Sequence, residues 1–204
     1  MQKNLTAPPD LIADIGGTNA RFALIDAHRQ FYAEQTLTCA DFSGLTAAGN
    51  AFLQSVGGVR PRRAAVAVAT PITGDWIQFT NSHWSFSTEA ARQELGLEQL
   101  TILNDFTALA LALPLLEPNE RCAVGGGEAV AGAPIALIGP GTGLGVSGLV
   151  WSGERWIPLQ TEGGHVTLSP VDEREWAISR ILQRQFGHVS PERLLSGPGL
   201  VNLY

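Results

Sequence analysis

Residues Leu11 to Asp26 read LIADIGGTNARFALID: an apolar run, a glycine turn and a second apolar run, with an acid just before the turn. Two β-forming runs around a short Gly-rich turn predict an antiparallel hairpin. Gly16 and Gly17 are free to take positive φ and to bring bare backbone N–H groups against an anion. Asp14, at the end of the first run, is placed to hold a Mg²⁺-bound water. Thr18 and Asn19 add short polar donors. A plain hairpin with a Gly-Gly turn has the same signature, so this segment alone leaves a phosphate cradle and an ordinary turn both open.

The basic residues narrow the choice. Lys3 is the only lysine in the 204 residues, and the other twelve basic residues are arginines. A Walker A loop needs a lysine after its glycines, and a protein kinase needs one on a strand, so neither exists here. Any phosphate chemistry must use backbone amides, hydroxyls, a metal and Arg21. The net charge of −6 and pI near 5.2 predict no nucleic-acid surface and no anionic-membrane surface. Cys39 and Cys122 lie in no ligand-spaced pattern, which predicts free thiols, a reducing cytoplasmic setting and no zinc site. MQKNLTAPPD has no apolar core and reads as a frayed leader, not a secretory signal. Phe106 to Leu116, the longest apolar stretch, is too short to span a bilayer.

The expected elements alternate strand and helix. Gln30 to Thr38 supplies a third strand. Phe42 to Val56 has helical spacing and stops at Gly57-Gly58. Ala64 to Ala69 is a buried parallel strand, Trp76 to Thr80 another strand, and Ser87 to Leu95 a helix with half a capping box at Ser87. Leu100 to Leu103 is a strand leading through Asn104-Asp105 into a helix ending near Leu113, and Pro114 and Pro118 mark a domain edge. Ile135 to Ile138 and Gly145 to Trp151 flank a second glycine turn. Glu173 to Phe186 is amphipathic, with Trp176, Ile178, Ile181, Leu182 and Phe186 expected inward. Two glycine hairpins, one in each half, predict a duplicated architecture without sequence identity.

Four groups of residues carry candidate chemistry. Asn104-Asp105 lies at the carboxyl end of a strand, where open α/β sheets form their ligand crevice. Asp105 there can take the proton of an attacking hydroxyl while Asn104 fixes that hydroxyl's orientation, although an aspartate capping the next helix has the same position. GPGTGLG, Gly139 to Gly145, fails G-x-G-x-x-G from Gly139 and from Gly141, because Leu144 and Val146 stand where the last glycine is required. Its Gly141-Thr142-Gly143 turn suits a second phosphate loop or a flexible connection. Glu162-Gly-Gly-His165 holds too few ligands for a metal and suits hydrogen bonding to vicinal hydroxyls. Glu192 is either a further acceptor or a solvated helix-face acid. His83, His188 and the five tryptophans read as structural, and Arg60, Arg62 and Arg63 as a solvated basic run.

The order of these motifs resembles the bacterial glucokinase family, within the hexokinase, actin and Hsp70 ATPase superfamily. The likeness rests on DIGGTNAR, on PITGDW followed by Thr80-Asn81 and Trp84, and on Leu103-Asn-Asp-Phe106. It extends through GPGTGLG, EGGH and ERLLSGPGLVNLY at 192–204. It implies an α/β, two-lobed actin-like ATPase (ribonuclease H-like) fold, with a small lobe over 1–113 and the first part of a large lobe over 114–204. It implies ATP-dependent phosphorylation of the glucose 6-hydroxyl, with Asp105 as general base and Asn104, Glu162, His165 and Glu192 on the sugar hydroxyls. Ala13, Asp14, Ile15, Gly16, Gly17 and Thr18, with Gly141, Thr142 and Gly143, would face the ATP phosphates, and Asp14 would steer Mg²⁺ through water. Family members are commonly homodimers and continue beyond Tyr204. The second lobe is therefore expected to be incomplete here and to expose apolar surface. A sugar-binding fragment without nucleotide affinity is the alternative. The repressor-related sugar kinases carry a Cys-rich zinc motif that this chain lacks.

Overall fold

The computed structural model describes residues 8–80 and 82–204, so most of the expected N-terminal leader, and Asn81, lie outside the described residues. Contacts divide the chain into two units, one ending at Asp105 and one running from Phe106 to Tyr204. The division falls at Asp105 and Phe106 rather than in the Pro114–Pro118 segment. The reason is that the Phe106 ring packs on glycines of the second unit's first hairpin.

The first unit is a five-stranded sheet in the order β3-β2-β1-β4-β7. Its strands are β1 (Asp10–Ile15), β2 (Asn19–Ile25), β3 (Phe31–Thr38), β4 (Arg63–Val68) and β7 (Gln99–Asn104). β1, β2 and β3 pair antiparallel, while β4 is parallel to both β1 and β7. Alternation in β1 and β4 sends Leu11, Ala13 and Ile15, with Ala64, Val66 and Val68, to one buried face. On that face pack Leu45, Ala48, Phe52 and Leu53 of α1 (Leu45–Ser55). Phe22 and Phe52 stack with ring centres 5.5 Å apart. α1 ends where Gly57 and Gly58 take φ of 95° and 71°, a left-handed exit that glycine makes without strain.

A two-stranded ribbon, β5 (Trp76–Gln78) and β6 (Ser85–Ser87), leads into α2 (Thr88–Glu94). Ser87 caps that helix, its hydroxyl accepting the Ala90 N–H at 3.1 Å, and Asp75 of the PITGDW turn accepts the Glu89 N–H at 2.9 Å. Arg92 and Gln93 donate to Glu89 and hold its carboxyl at about 2, below the ordinary 4.5. The Ser87 hydroxyl and the Glu89 amide likewise hold Asp75 below its usual 3.8. Both carboxyls bind protons more readily in the unfolded chain. Their contribution is therefore complete above about pH 4.5 and is lost as pH falls toward 2. A carboxyl-detected NMR titration should place the Glu89 midpoint near 2, and a midpoint at 4.5 would contradict the contacts drawn here.

The second unit begins with α3 (Asp105–Ala112), whose first residue belongs to the first unit. Residues 117–134 run over the surface, and a three-stranded antiparallel sheet follows in the order β10-β9-β8. Its strands are β8 (Ile135–Pro140), β9 (Leu144–Trp151) and β10 (Trp156–Gln160). This meander repeats the β3-β2-β1 order of the first unit, the duplication expected from the two glycine hairpins. β10 is an addition to the expected elements; its place on a sheet edge makes Pro158, which lacks an N–H, tolerable.

α4 (Glu173–Phe186) is capped by Asp172, which accepts the Glu175 N–H at 2.8 Å. α5 (Glu192–Leu195) and α6 (Gly197–Leu203) follow. The expected inward stripe of α4 is corrected: only Leu182 is buried, and Trp176 and Ile181 are exposed. Periodicity identifies an apolar stripe but not what covers it. The tryptophans are corrected likewise, since Trp84 is buried whereas Trp76, Trp151 and Trp176 are exposed. Ile138, Ile157 and Leu159 are exposed as well, the apolar surface expected of this lobe. The basic run is not simply solvated: Arg62 pairs with Glu98 and Arg63 with Asp10. Among the described residues no helix is long and apolar enough to cross a membrane.

Candidate active site

Three parallel strands of the first unit end in line. Ile15 pairs with Val68, and Val68 pairs with Asn104, so the segments after β1, β4 and β7 emerge side by side at the carboxyl edge. A depression of about 330 Å³ opens there, lined by Asp14, Gly16, Gly17, Thr18, Asn19, Arg21, Ala69 and Asp105. The hairpin turn and the candidate base thus border one concavity within a single unit.

The turn is built differently from the expectation. Neither Gly16 nor Gly17 is among the positive-φ glycines. The Gly16 N–H is also committed, donating to the Asn19 carbonyl at 2.9 Å. Among the described residues this leaves the Gly17 and Thr18 amides of the turn for a ligand. Ala13 and Ile15 are buried on the helix side of the sheet, so their side chains face the core. Cys39 braces the turn: its N–H donates to the Thr18 carbonyl at 2.8 Å and its Sγ–H to the Gly16 carbonyl at 3.6 Å. Burial pushes the Cys39 thiol up, which keeps it a neutral packing group. The Trp84 indole N–H is shared between the carbonyls of Cys39 and Phe42, at 3.1 and 3.0 Å. His83 is bonded to the Phe42 carbonyl at 2.9 Å.

Asp14 stands directly opposite Arg21 across the β1–β2 ladder, with Arg21 Nη1 3.7 Å from its Oδ2 and both side chains largely exposed. An exposed carboxylate beside backbone amides and hydroxyls, with Asp105 on the same depression, fits Mg²⁺, which keeps most of its waters and takes its other ligands from substrate phosphates. Among the described residues no cluster of three or more His, Cys, Asp or Glu side chains could hold a metal by itself. Asp105 is half-buried, and the Asn104 Nδ2–H donates to its Oδ1 at 3.0 Å. Asn104 also reaches the Thr70 carbonyl at 3.5 Å. Asn104 thus orients the neighbouring carboxylate, a contact that the sequence did not reveal.

The second unit gathers the other polar candidates. Glu162, Gly163, Gly164 and His165 form a single 3₁₀ turn after β10, closed by the His165 N–H on the Glu162 carbonyl at 3.0 Å. His165 lies between two carboxylates, with Nε2 3.8 Å from Glu162 Oε2 and Nδ1 3.7 Å from Glu192 Oε1. Glu192 is the less exposed of the two, and its Oε2 accepts the Leu144 N–H at 2.8 Å. A fully solvated helix-face acid is therefore excluded. One imidazole and two carboxylates thus place hydrogen-bond donors and acceptors side by side.

The alternating glycines of the second loop have specific neighbours. Gly139 and Gly145 are a cross-strand pair, and a Cβ on either would meet the Phe106 ring, within 2.7 Å from Gly139. A Cβ on Gly143 would lie 2.6 Å from Glu192 Oε2, whereas Gly141 faces open space. Much of the glycine pattern therefore serves Phe106 and Glu192; Gly141 and Thr142 are the exposed part of the turn, which the Gly141 N–H closes on the Gly143 carbonyl at 2.8 Å.

Comparison with known proteins gives the fold and the family. A solved glucokinase from an Antarctic psychrotroph superimposes with a TM-score of 0.83 at 39% identity, over 98% of this chain and 64% of that one. A glucokinase from Balamuthia mandrillaris, solved in complex with glucose, shares the fold with a TM-score of 0.69 at 22% identity, over 96% of this chain and 61% of that one. The fold is that of the actin-like ATPase sugar kinases. The glucokinase of Aromatoleum aromaticum is 54% identical over 198 residues, which is 96% of this chain and 60% of the relative. The Glucokinase family profile matches residues 11–204, and the chain belongs to that family. It spans about 60% of the length of the curated relatives it matches.

Proposed function

We propose that the protein phosphorylates D-glucose at the 6-hydroxyl with ATP. The observation that carries this reading is the depression at the carboxyl edge of the first sheet, bordered by both the hairpin turn and Asp105. Asp105 accepts the proton of the 6-hydroxyl as that oxygen attacks the γ-phosphorus, and the bond from phosphorus to the ADP oxygen breaks. Asn104 holds the Asp105 carboxylate in the acceptor orientation and shares in binding the sugar. Glu162, His165 and Glu192 bind the remaining hydroxyls. The turn Ala13 to Thr18 and the turn Gly141-Thr142-Gly143 face the phosphates through backbone amides and hydroxyls. Arg21 supplies the positive charge that a lysine gives in other kinases. Mg²⁺ supplies charge neutralisation at the phosphates when bound, and Asp14 is the group that fits one of its waters.

The lobes of this reading are residues 1–113 and 114–204, and with it go a cytoplasmic location, a homodimer, and no nucleic-acid or membrane partner. A coupled assay for glucose 6-phosphate on the purified chain tests it, with ATP-dependent product expected. Glucose binding by calorimetry with no turnover at saturating ATP would overturn the active-enzyme reading in favour of a sugar-binding fragment.

A further inference from the structure

The second glycine turn is held from both flanks by the corner between α5 and α6. On one flank the Gly197 N–H donates to the Gly141 carbonyl at 2.8 Å. On the other, Glu192 Oε2 accepts the Leu144 N–H at 2.8 Å. The corner itself is closed tightly. The Ser196 hydroxyl donates to the Glu192 carbonyl at 2.8 Å and accepts the Gly199 N–H at 3.0 Å. A Cβ on Gly199 would lie 2.8 Å from the Glu192 carbonyl oxygen and 2.6 Å from the Leu194 carbonyl carbon. The Glu192 backbone is thereby fixed, and its carboxylate occupies the space that a side chain at residue 143 would need.

We propose that Glu192 is a positioning residue for the Gly141–Gly143 turn as well as a sugar ligand. The division of labour is written in its two oxygens: Oε2 holds the Leu144 amide, while Oε1 lies on the His165 side, 3.7 Å from Nδ1. A hydroxyl that bonds to Oε1 therefore acts on the same carboxylate that shapes the phosphate turn. Occupancy of the sugar site and affinity for the phosphate chain are then coupled through one side chain, and the coupling is reciprocal. The identity of the two ligands rests on the proposed function; the clamp does not.

Amide hydrogen exchange of the 139–147 segment, measured without any ligand, tests the clamp independently of catalysis. Losing a charged acceptor from a backbone N–H should speed exchange at Leu144 by about tenfold or more in Glu192→Ala. Glu192→Gln keeps an acceptor oxygen and should stay within about twofold of the wild type. Gly143→Ala must push the carboxylate aside and should behave like Glu192→Ala. Because both changes break one contact, the double variant should exchange no faster than the faster single. Unchanged Leu144 exchange in Glu192→Ala, or additive effects in the double variant, would overturn the clamp. Exchange in β1, β2 and α4 reports folding; if Glu192→Ala fails there, Gly143→Ala and Glu192→Gln decide alone. A second readout is ATP binding in the absence of glucose, which should weaken in Glu192→Ala and recover in Glu192→Gln. An unchanged ATP affinity in Glu192→Ala would reduce Glu192 to a sugar ligand. A wild-type chain that binds neither glucose nor ATP would count against the kinase reading, and the exchange result would still decide the clamp.

Discussion

Replacing Asp105 with alanine is expected to lower kcat for glucose phosphorylation by about 10²–10⁴-fold, the range for removing a positioned general base. Glucose binding should persist, because Glu162, His165 and Glu192, the other proposed sugar ligands, are retained. The expectation follows from the strand ends. The β7 strand delivers Asp105 to the edge where the Gly16–Thr18 turn emerges, and the Asn104 amide fixes one of its oxygens. Asp105→Asn is the sharper variant, since its side-chain oxygen can still accept from Asn104 while its basicity is gone. Both variants should show the deficit in kcat rather than in the dissociation constant for glucose, read by coupled assay and calorimetry. A kcat within a few-fold of the wild type in both would remove Asp105 from the role of base.

The elements that could be read in the sequence are those whose signal is local. The β1–β2 hairpin, the cap at Ser87 and the Gly57-Gly58 stop of α1 all follow from residue types at fixed spacing. The candidate site was legible as motifs because strand ends and glycine turns also have local signatures. What was not legible was the identity of long-range partners. Nothing near Gly139 or Gly145 in the chain announces that the Phe106 ring fills the space above them. The same holds for Glu192, whose carboxylate reaches Leu144 across 48 residues. Glycines required by close approach look in sequence like glycines required by φ: Gly139, Gly145 and Gly164 are all of the first kind, their Cβ space being filled by Phe106 or by the Leu144 carbonyl. The exposed stripe of α4 has a related cause, since amphipathicity describes one partner of an interface only.

Gly164→Ala is expected to cost about 3 kcal/mol or more in the stability of the second unit, at or beyond the upper end of ordinary overpacking. A Cβ at residue 164 would sit 2.0 Å from the Leu144 carbonyl oxygen and 3.0 Å from its carbonyl carbon. Both sides of this clash are backbone, so no rotamer change relieves it. One side is the turn that carries Glu162 and His165; the other is the first residue of β9, whose amide is held by Glu192. Relief therefore requires either moving the Glu162–His165 turn off the sheet or breaking the β8–β9 ladder beside the Gly141–Gly143 turn. Gly163→Ala is the internal control. Its Cβ would meet Val146 Cγ1 at 2.8 Å and Cβ at 3.0 Å, side-chain atoms of a stiff β-branched residue rather than a carbonyl, and its cost should be smaller, about 1–2 kcal/mol. Urea unfolding followed by the tryptophans of the second unit, Trp151, Trp156 and Trp176, reads both variants. If the two glycines proved equally tolerant, the close approach of the EGGH turn to β9 would be wrong. If Gly164→Ala loses markedly more stability than Gly163→Ala, Gly164 is set by the distance between two backbones, and the histidine and glutamate owe their spacing to that contact.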